Sequence, residues 1–381
     1  MLKRSALLMV LLAILAVLVY EQQNQMAPAP DASIGQMAAE KRKSGNGGKD
    51  SAETSRFATE EKKDDVDEGT DEDTGESDAK TEQASASLVN VSALMGKQEK
   101  DVIATYGDPV RKDPSAFGYV SWVYTNVDDG YLVVCVEHGE VVSIVASGSA
   151  AAGFLGNERA SFSELEKAYS FEENVPVETD DGQFTFRLTG EDYKMRPLAP
   201  VDDYWLQVYM DIHTDEVSSI RLMTDEVLLK QKPYSLSYTG TLPERPELSE
   251  EQMKQVEAAN EQQIFERTNH IRAYHGLPPF EWSEEVADVA YLHSKDMHDE
   301  QYFDHVSPVK GNLADRFNTG EVPFAMAGEN IALKYVDGIA ATEGWLNSEG
   351  HRVNLLHEEF TFLGVGVYED YYTQNFLKPQ S

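Results

Sequence analysis

The sequence predicts an α+β protein in which an N-terminal hydrophobic helix and a disordered acidic tether precede two folded α+β regions. Three observations point there. Residues 6–20 are an unbroken apolar run behind Lys3 and Arg4. From Asp31 to Glu82 the chain carries 16 acidic and 8 basic side chains and a single aromatic, Phe57. Beyond that stretch, hairpin signals come first and capped, amphipathic helices follow. A chain of 381 residues has room for two ordinary domains and their tails.

The apolar run with its basic flank is an export signal. It is a little short of the ~20 residues that a spanning helix needs. No convincing small-x-small cleavage site follows it directly: "VLVYEQQ" is a poor one, and "MAPAP" is only a weak candidate. A retained membrane anchor over residues 1–20 is the preferred reading, and a cleaved signal peptide is the alternative. Either way the remainder lies outside the cytoplasm, at the cell membrane or secreted. Residues 21–86 hold too little apolar surface to offset the entropy of ordering, so they read as a charged linker.

The whole chain balances 32 basic against 67 acidic residues, a net charge of -35. That excess argues against nucleic acid as a partner, because phosphate contacts need clustered Lys and Arg. Cys135 is the only cysteine, so no intramolecular disulfide forms. In "YLVVCVEH" it reads as a small core hydrophobe.

Residues 87–235 alternate strand and turn signals. A short helix over residues 97–106 is stopped by Gly107 and Pro109. "YVSWVYTNVDDGYLVVCVEHGEVVSIV" then holds three strand-like runs, split at Asp129-Gly130 and His138-Gly139. Both dipeptides tolerate the positive φ that tight hairpins require. The block recurs. "CVEHGEVVSIV" aligns without gaps on "DIHTDEVSSIR", with "SFSELEKAY" as a second helix and "DYWLQVYM" as a second strand. Two helix-plus-hairpin repeats follow. His138 and His213 read as exposed turn residues.

Residues 236–253 form a linker rich in glycine, proline and charge. Within it Ser249 and Gln252 make a capping box, opening a helix that runs to Tyr274. A second helix follows Ser283 as N-cap, with Val286, Val289, Ala290, His293 and Met297 on one face. His293 reads as a packed helix residue. A third helix spans residues 337–347, and Gly350 ends that region. "FLGVGVYEDYYTQNFLK" is a terminal hairpin turning at Glu369-Asp370. Strong helices and a final hairpin within residues 254–381 imply an α+β layer structure.

Polar residues fit for chemistry concentrate between Phe303 and Asn354. His305 lies on a loop, Glu329 stands in the mostly apolar "MAGENIALKY", and His351 stands in "WLNSEGHRVNLL". Brought into one cleft, the two imidazoles could bind a divalent cation such as zinc, or Glu329 and a histidine could form an acid/base pair. The spacing lacks the compact H-E-x-x-H geometry that fixes a metal. The structural alternative is that Glu329 holds a loop through backbone bonds and His351 caps a helix. Arg352 and Asn354 read as structural, the first reaching carbonyls or a carboxylate.

"NHIRAYHGLPPFEW", "AYLHSKDM", "YFDHVSP", "AGENIA", "WLNSEGHRVNLL", "LGVGVY" and "YYTQNF" stand in the order of, and together resemble, the CAP superfamily, also called the SCP/PR-1-like fold. The upstream region resembles the CAP-associated N-terminal domain of Firmicute surface proteins. The resemblance implies an α-β-α sandwich with an open groove, which in many members holds two histidines and two glutamates. His305 matches the first histidine and Glu329 the glutamate of the "GEN" motif. The other two positions depart: Ser348 stands where the second glutamate would, and Tyr371 where the second histidine would. His351 is the substitute histidine from the "GHR" motif. The implied groove is therefore lined by His305, Glu329, Asn330, Ser348, His351 and Tyr371, with His305, Glu329 and His351 as catalytic candidates and His305 and His351 as metal candidates. The implied roles are binding of a cell-envelope glycan, peptide or lipid, hydrolysis of cell-wall or peptide substrates, or structural adaptation in the envelope.

Overall fold

A computed structural model describes residues 37–38, 90–127, 130–157 and 159–380. The expected N-terminal hydrophobic helix lies outside these residues, as does the tether but for strand β1 (Met37–Ala38). Among the described residues, no helix is long and apolar enough to cross a membrane.

The first region opens with a 3-10 turn (Val91–Leu94) and helix α1 (Glu99–Tyr106). Strands β2 (Arg111–Pro114), β3 (Val120–Val127), β4 (Gly130–Glu137) and β5 (Glu140–Ser147) follow. Then come α2 (Ser149–Leu155), α3 (Phe162–Ala168), β6 (Asn174–Thr179), β7 (Gly182–Arg187) and α4 (Gly190–Met195). The region ends with β8 (Leu198–Val201), β9 (Tyr204–Asp211), β10 (Glu216–Met223), α5 (Asp225–Gln231) and β11 (Ser235–Gly240). The two sequence repeats become the halves of one seven-stranded sheet, order β2-β3-β4-β5-β10-β9-β8. The second strands of the two copies, β5 and β10, pair antiparallel where the halves meet. A smaller sheet, β11-β7-β6, was not foreseen from the sequence.

The faces of the large sheet differ. One is apolar, with Trp122, Leu132, Val134, Ile144, Leu206, Val208 and Leu222 in its core. The other sets apolar Val123, Val133, Cys135 and Val145, clustered with Phe184 and Phe186 of the smaller sheet, beside Asp113, Ser147, Asp211, Ser219 and Arg221, all buried. These polar groups are sealed against helices of the second region.

That region begins with α6 (Glu250–Tyr274), started by the Ser249–Gln252 capping box as the sequence predicts. It continues with β12 (Glu281–Trp282), α7 (Glu284–Asp299), α8 (Leu313–Thr319) and β13 (Met326–Leu333). It closes with α9 (Gly338–Asn347), α10 (Glu349–Leu355) and the hairpin β14 (Phe362–Tyr368) and β15 (Tyr371–Lys378). Gly350 does not end the helical region: Ser348 closes α9 and opens α10. The sheet order is β1-β13-β15-β14-β12. Side chains alternate across it. Thr373 and Asn375 face α7, and Gln374 reaches Thr268 of α6 at 2.8 Å. This is the expected α-β-α sandwich.

Helix α7 lies unusually close to the sheet. A Cβ at Gly366 would sit 1.9 Å from the backbone nitrogen of Tyr291, and one at Gly364 would sit 2.2 Å from that of Ala287. Only glycine permits this approach. Ser294 Oγ pins the contact by donating to the Gly366 carbonyl at 2.8 Å.

Ion pairs and hydrogen bonds join the regions; the most buried pair, Arg267–Glu343, lies within the second region and is bonded across the seam by Ser218 and Ser219. Arg267 of α6 donates to Glu343 of α9 at 2.9 Å, and Ser219 of β10 donates to the same oxygen at 2.5 Å. Arg267 also reaches the Ser218 carbonyl at 3.0 Å. Arg221 pairs with Asp337, Arg111 with Glu266, and Arg352 with Asp211. Arg267 and Glu343 are 3% and 1% exposed, so breaking the pair strands a charge in the interior. Replacing Arg267 by Met should cost the full chain about 3–5 kcal/mol in urea unfolding. A loss under about 1 kcal/mol would show that the pair does not hold the interface.

Candidate functional site

Glu329 sits in the middle of β13, whose outer edge is closed rather than open to pairing. The Glu329 carbonyl accepts from Asn354 Nδ2 at 3.2 Å, and the Ile331 carbonyl accepts from Trp345 Nε1 at 2.9 Å. These bonds satisfy edge groups that would otherwise invite another strand. The strand's alternation sends the Glu329 side chain toward α7 and α8, and that of Asn330 to the opposite face.

The Glu329 carboxylate is 3% exposed. Its Oε1 accepts from His305 Nδ1 at 2.9 Å. Its Oε2 accepts from the Arg316 guanidinium of α8. The Asn375 amide, oriented to satisfy both of its ends, donates to Oε2 at 3.0 Å and accepts from the Ala290 N–H at 3.3 Å. His293 Nε2 lies 3.8 Å from Oε1. Burial by itself raises a carboxyl pKa, but the surrounding histidines and Arg316 outweigh it and hold Glu329 down at about 2. Burial pushes His293 the other way, down to about 4, against the pull of Glu329. With His293 neutral, Arg316 is the cation that keeps Glu329 ionised at neutral pH.

The His305 loop is also tied down by bonds other than the one to Glu329. Tyr302 and Ser307 donate to Asp296 of α7 at 2.6 and 2.7 Å, and Arg316 Nη1 donates to the His305 carbonyl at 2.8 Å. The His305 side chain is 22% exposed, which puts this imidazole at the surface over a buried acid. In the neutral ring, Nδ1 donates to the carboxylate and Nε2 then carries the lone pair.

Of the three residues expected to converge, the structure joins His305 and Glu329 only. The His351 ring bonds Ser348 Oγ at 2.8 Å, and its carbonyl accepts from Asn330 at 3.2 Å. Both contacts lie on the Asn330 side of β13. Asn330 is fully buried and ties to Gln374 and Asn354 at 3.2 and 3.0 Å, so it is an interior clasp and not a groove wall. Ser348 and His351 sit at the start of α10, beside the domain seam where Asn347 donates to the Met210 carbonyl. Tyr371 shares the face of Glu329 but stands four residues along β15 from Asn375, the residue opposite Glu329, with its ring 5.9 Å from that of His298. One continuous six-residue groove is therefore not formed.

The donor set does not fit a tightly held metal ion. His305 Nδ1 and Glu329 Oε1 are engaged with each other, and Oε2 faces a guanidinium whose charge opposes a second cation. His351, the other metal candidate, is turned to Ser348. Among the described residues, no group of three or more His, Cys, Asp or Glu is placed to hold a metal ion.

Sequence reasoning missed Arg316, Asn375 and the place of His293. An arginine between Leu313 and Phe317, both buried, was the available signal: on an apolar helix face it requires an interior acid. His293 is indeed packed, but against the carboxylate.

Comparison with known proteins places these features in a family. The sequence model of the CAP, or cysteine-rich secretory protein, family matches residues 265–377, and that of the CAP-associated N-terminal domain matches residues 95–234. The chain is 42% identical over 286 residues to the uncharacterized membrane protein YlbC of Bacillus subtilis, covering 75% of this chain and 83% of that one. Among solved structures it is similar to an extracellular protein containing a SCP domain from Bacillus anthracis, with 39% identity and a TM-score of 0.71, covering 81% of this chain and 99% of that one. It is also similar to a cysteine-rich secretory protein from Staphylococcus aureus, with 25% identity and a TM-score of 0.67, covering 76% and 95%.

The depressed carboxyl has a pH signature. Its folded value of about 2 lies below the ordinary 4.5, so its stabilisation is complete above about pH 4.5 and is lost as pH falls from there through 2. The stability gap between wild type and Glu329→Gln, followed by urea unfolding, should shrink steadily across that window. A gap independent of pH from 5 to 2 would show that the buried group is not an ionised carboxylate.

Proposed function

The chain belongs to the CAP family, in the arrangement that places a CAP-associated domain ahead of the CAP domain, and from that premise we propose a membrane-anchored, extracytoplasmic binding protein. Its His305–Glu329 site takes a cell-envelope ligand: a glycan, a peptide or a lipid. The apolar run behind Lys3 and Arg4 supports the anchored placement. So do the names of two relatives, one a membrane protein and one extracellular.

The observation that carries the reading is the surface imidazole held by a buried, neutralised acid. A fixed Nε2 lone pair accepts a hydrogen bond from a hydroxyl or an amide. Val306 and Val309, 55% and 73% exposed on the same loop, add apolar contact beside it. A sugar hydroxyl with a neighbouring acetamido methyl, or a peptide amide with a small side chain, meets both features. Hydrolysis is the weaker reading. His305 could serve as a general base, but Arg316 already neutralises Glu329, and a neutralised acid does little to stabilise the imidazolium that base catalysis creates.

The test titrates full-length protein, carrying nitrogen-15 histidine, with muropeptides, with peptides and with anionic lipid vesicles. One class should shift the His305 ring signals saturably. His305→Ala should weaken that binding about tenfold, the worth of one hydrogen bond in a partly desolvated site. Silence from all three classes would overturn the binding role and favour a structural adaptor. Turnover of muropeptide or peptide that His305→Ala abolishes would instead make the protein a hydrolase.

A further inference from the structure

The bonds on either side of His305 converge on a second interior carboxylate. Asp296 is 5% exposed and lies two residues beyond Ser294 on α7. Among the described residues its side chain is bonded to Tyr302, Ser307 and Lys310, and to neither His305 nor Glu329. Its Oδ2 accepts from the Tyr302 hydroxyl at 2.6 Å and from the Ser307 hydroxyl at 2.7 Å. Those donors stand three residues before His305 and two after it, so one oxygen holds both flanks of the imidazole. Its Oδ1 faces Lys310 Nζ at 3.1 Å, and that lysine side chain is 45% exposed.

Ser307 passes the constraint on. Its Oγ accepts from the Val309 and Lys310 N–H groups at 3.1 and 2.8 Å, and its backbone exchanges two bonds with Gly311. Residues 307–311 thus form a closed turn that moves with Ser307. Arg316 also grips the loop, through the His305 and Gly311 carbonyls, but it does so from α8. Asp296 ties the loop to α7, the helix seated on the sheet by Gly364, Gly366 and Ser294. That sheet carries Glu329. The distance of the loop from Glu329 is therefore set through Asp296. The 2.9 Å bond from His305 to Glu329 has little tolerance, since site groups must be held to within about 0.5 Å.

We propose that Asp296 is a positioning residue: through Tyr302 and Ser307 it seats the loop on α7 so that His305 Nδ1 reaches Glu329 and Nε2 is left for the ligand. The interior oxygen carries this role. The Lys310 contact lies at the surface, where an ion pair contributes little. The proposal deepens the binding reading, because a ligand would meet an imidazole already in place. It concerns the free protein, however, and its test needs no ligand, so the two fail separately.

The experiment records nitrogen-15 shifts of the His305 ring in unliganded full-length protein at neutral pH. Wild type should show a protonated Nδ1 and a bare Nε2. Asp296→Leu, which removes the acceptor, should move the tautomer ratio toward Nε2–H by about tenfold, the worth of the hydrogen bond to the carboxylate that a displaced ring gives up. Asp296→Asn keeps an oxygen for Tyr302 and Ser307 and should restore most of the wild-type pattern. Lys310→Met should leave the pattern unchanged. If the Leu variant does not fold, Tyr302→Phe removes one of the two interior bonds without stranding a charge, and a shift of about threefold is expected. A wild-type His305 pattern in the folded Leu or Phe variant would overturn the proposal. So would equal disturbance by Asn and Leu, or a Lys310→Met effect as large as that of Leu, because either would take the role away from the interior oxygen.

Discussion

A carboxylate that must remain charged inside a protein has to be neutralised where it stands, and Arg316 does this for Glu329. Most features of the site follow from that pair. Arg316 lies on α8, so α8 must pack on the same sheet face as the Glu329 side chain. The same guanidinium holds the His305 carbonyl, so the loop carrying the surface imidazole is set by the cation that neutralises the acid. Geometry and charge are thus fixed together. His305 meets an acceptor already locked from behind by Asn375 and flanked by His293.

The domain seam obeys the same rule on a larger scale. One face of the seven-stranded sheet is spent on its own core, and the other, which is part apolar, turns Asp113, Asp211, Ser219 and Arg221 toward the second region. Such a face cannot be left half-solvated without cost. Glu266, Arg267, Asp337, Glu343 and Arg352 answer it group by group. Those partners come from the helical side of the sandwich opposite Glu329, apart from Asp337, which caps α9 there. The associated domain thus braces one side of the CAP sheet, and the surface imidazole lies on the other.

Local signals were legible in the sequence. The Ser249 capping box, the Ser283 cap and the turn at Glu369 each set an element end, because caps and turns depend on neighbours in sequence. The repeat was also readable, though not that its copies would join edge to edge through β5 and β10. The His305–Glu329 pair was reached through family motifs and not through spacing. His351 was misplaced because strand alternation was not applied to "GENI": if Glu329 faces one helical layer, Asn330 and what it touches face the other. Arg316 was overlooked because a lone arginine has no periodic signature; its place between Leu313 and Phe317 hints at an interior acid, and its burial, a tertiary property, reveals which one.

The central claim is that Arg316 and Glu329 are energetically one unit. A double-mutant cycle with Arg316→Met, Glu329→Gln and the pair, read by urea unfolding of the full chain at neutral pH, measures it directly. The contacts of Arg316 to backbone carbonyls are lost in both backgrounds and cancel. The account expects Arg316→Met alone to cost about 3–5 kcal/mol, and the double variant to fall short of the summed single losses by about 2 kcal/mol or more. Additivity within about 0.5 kcal/mol would mean that the carboxylate does not depend on the guanidinium, and the description of the site would have to be abandoned.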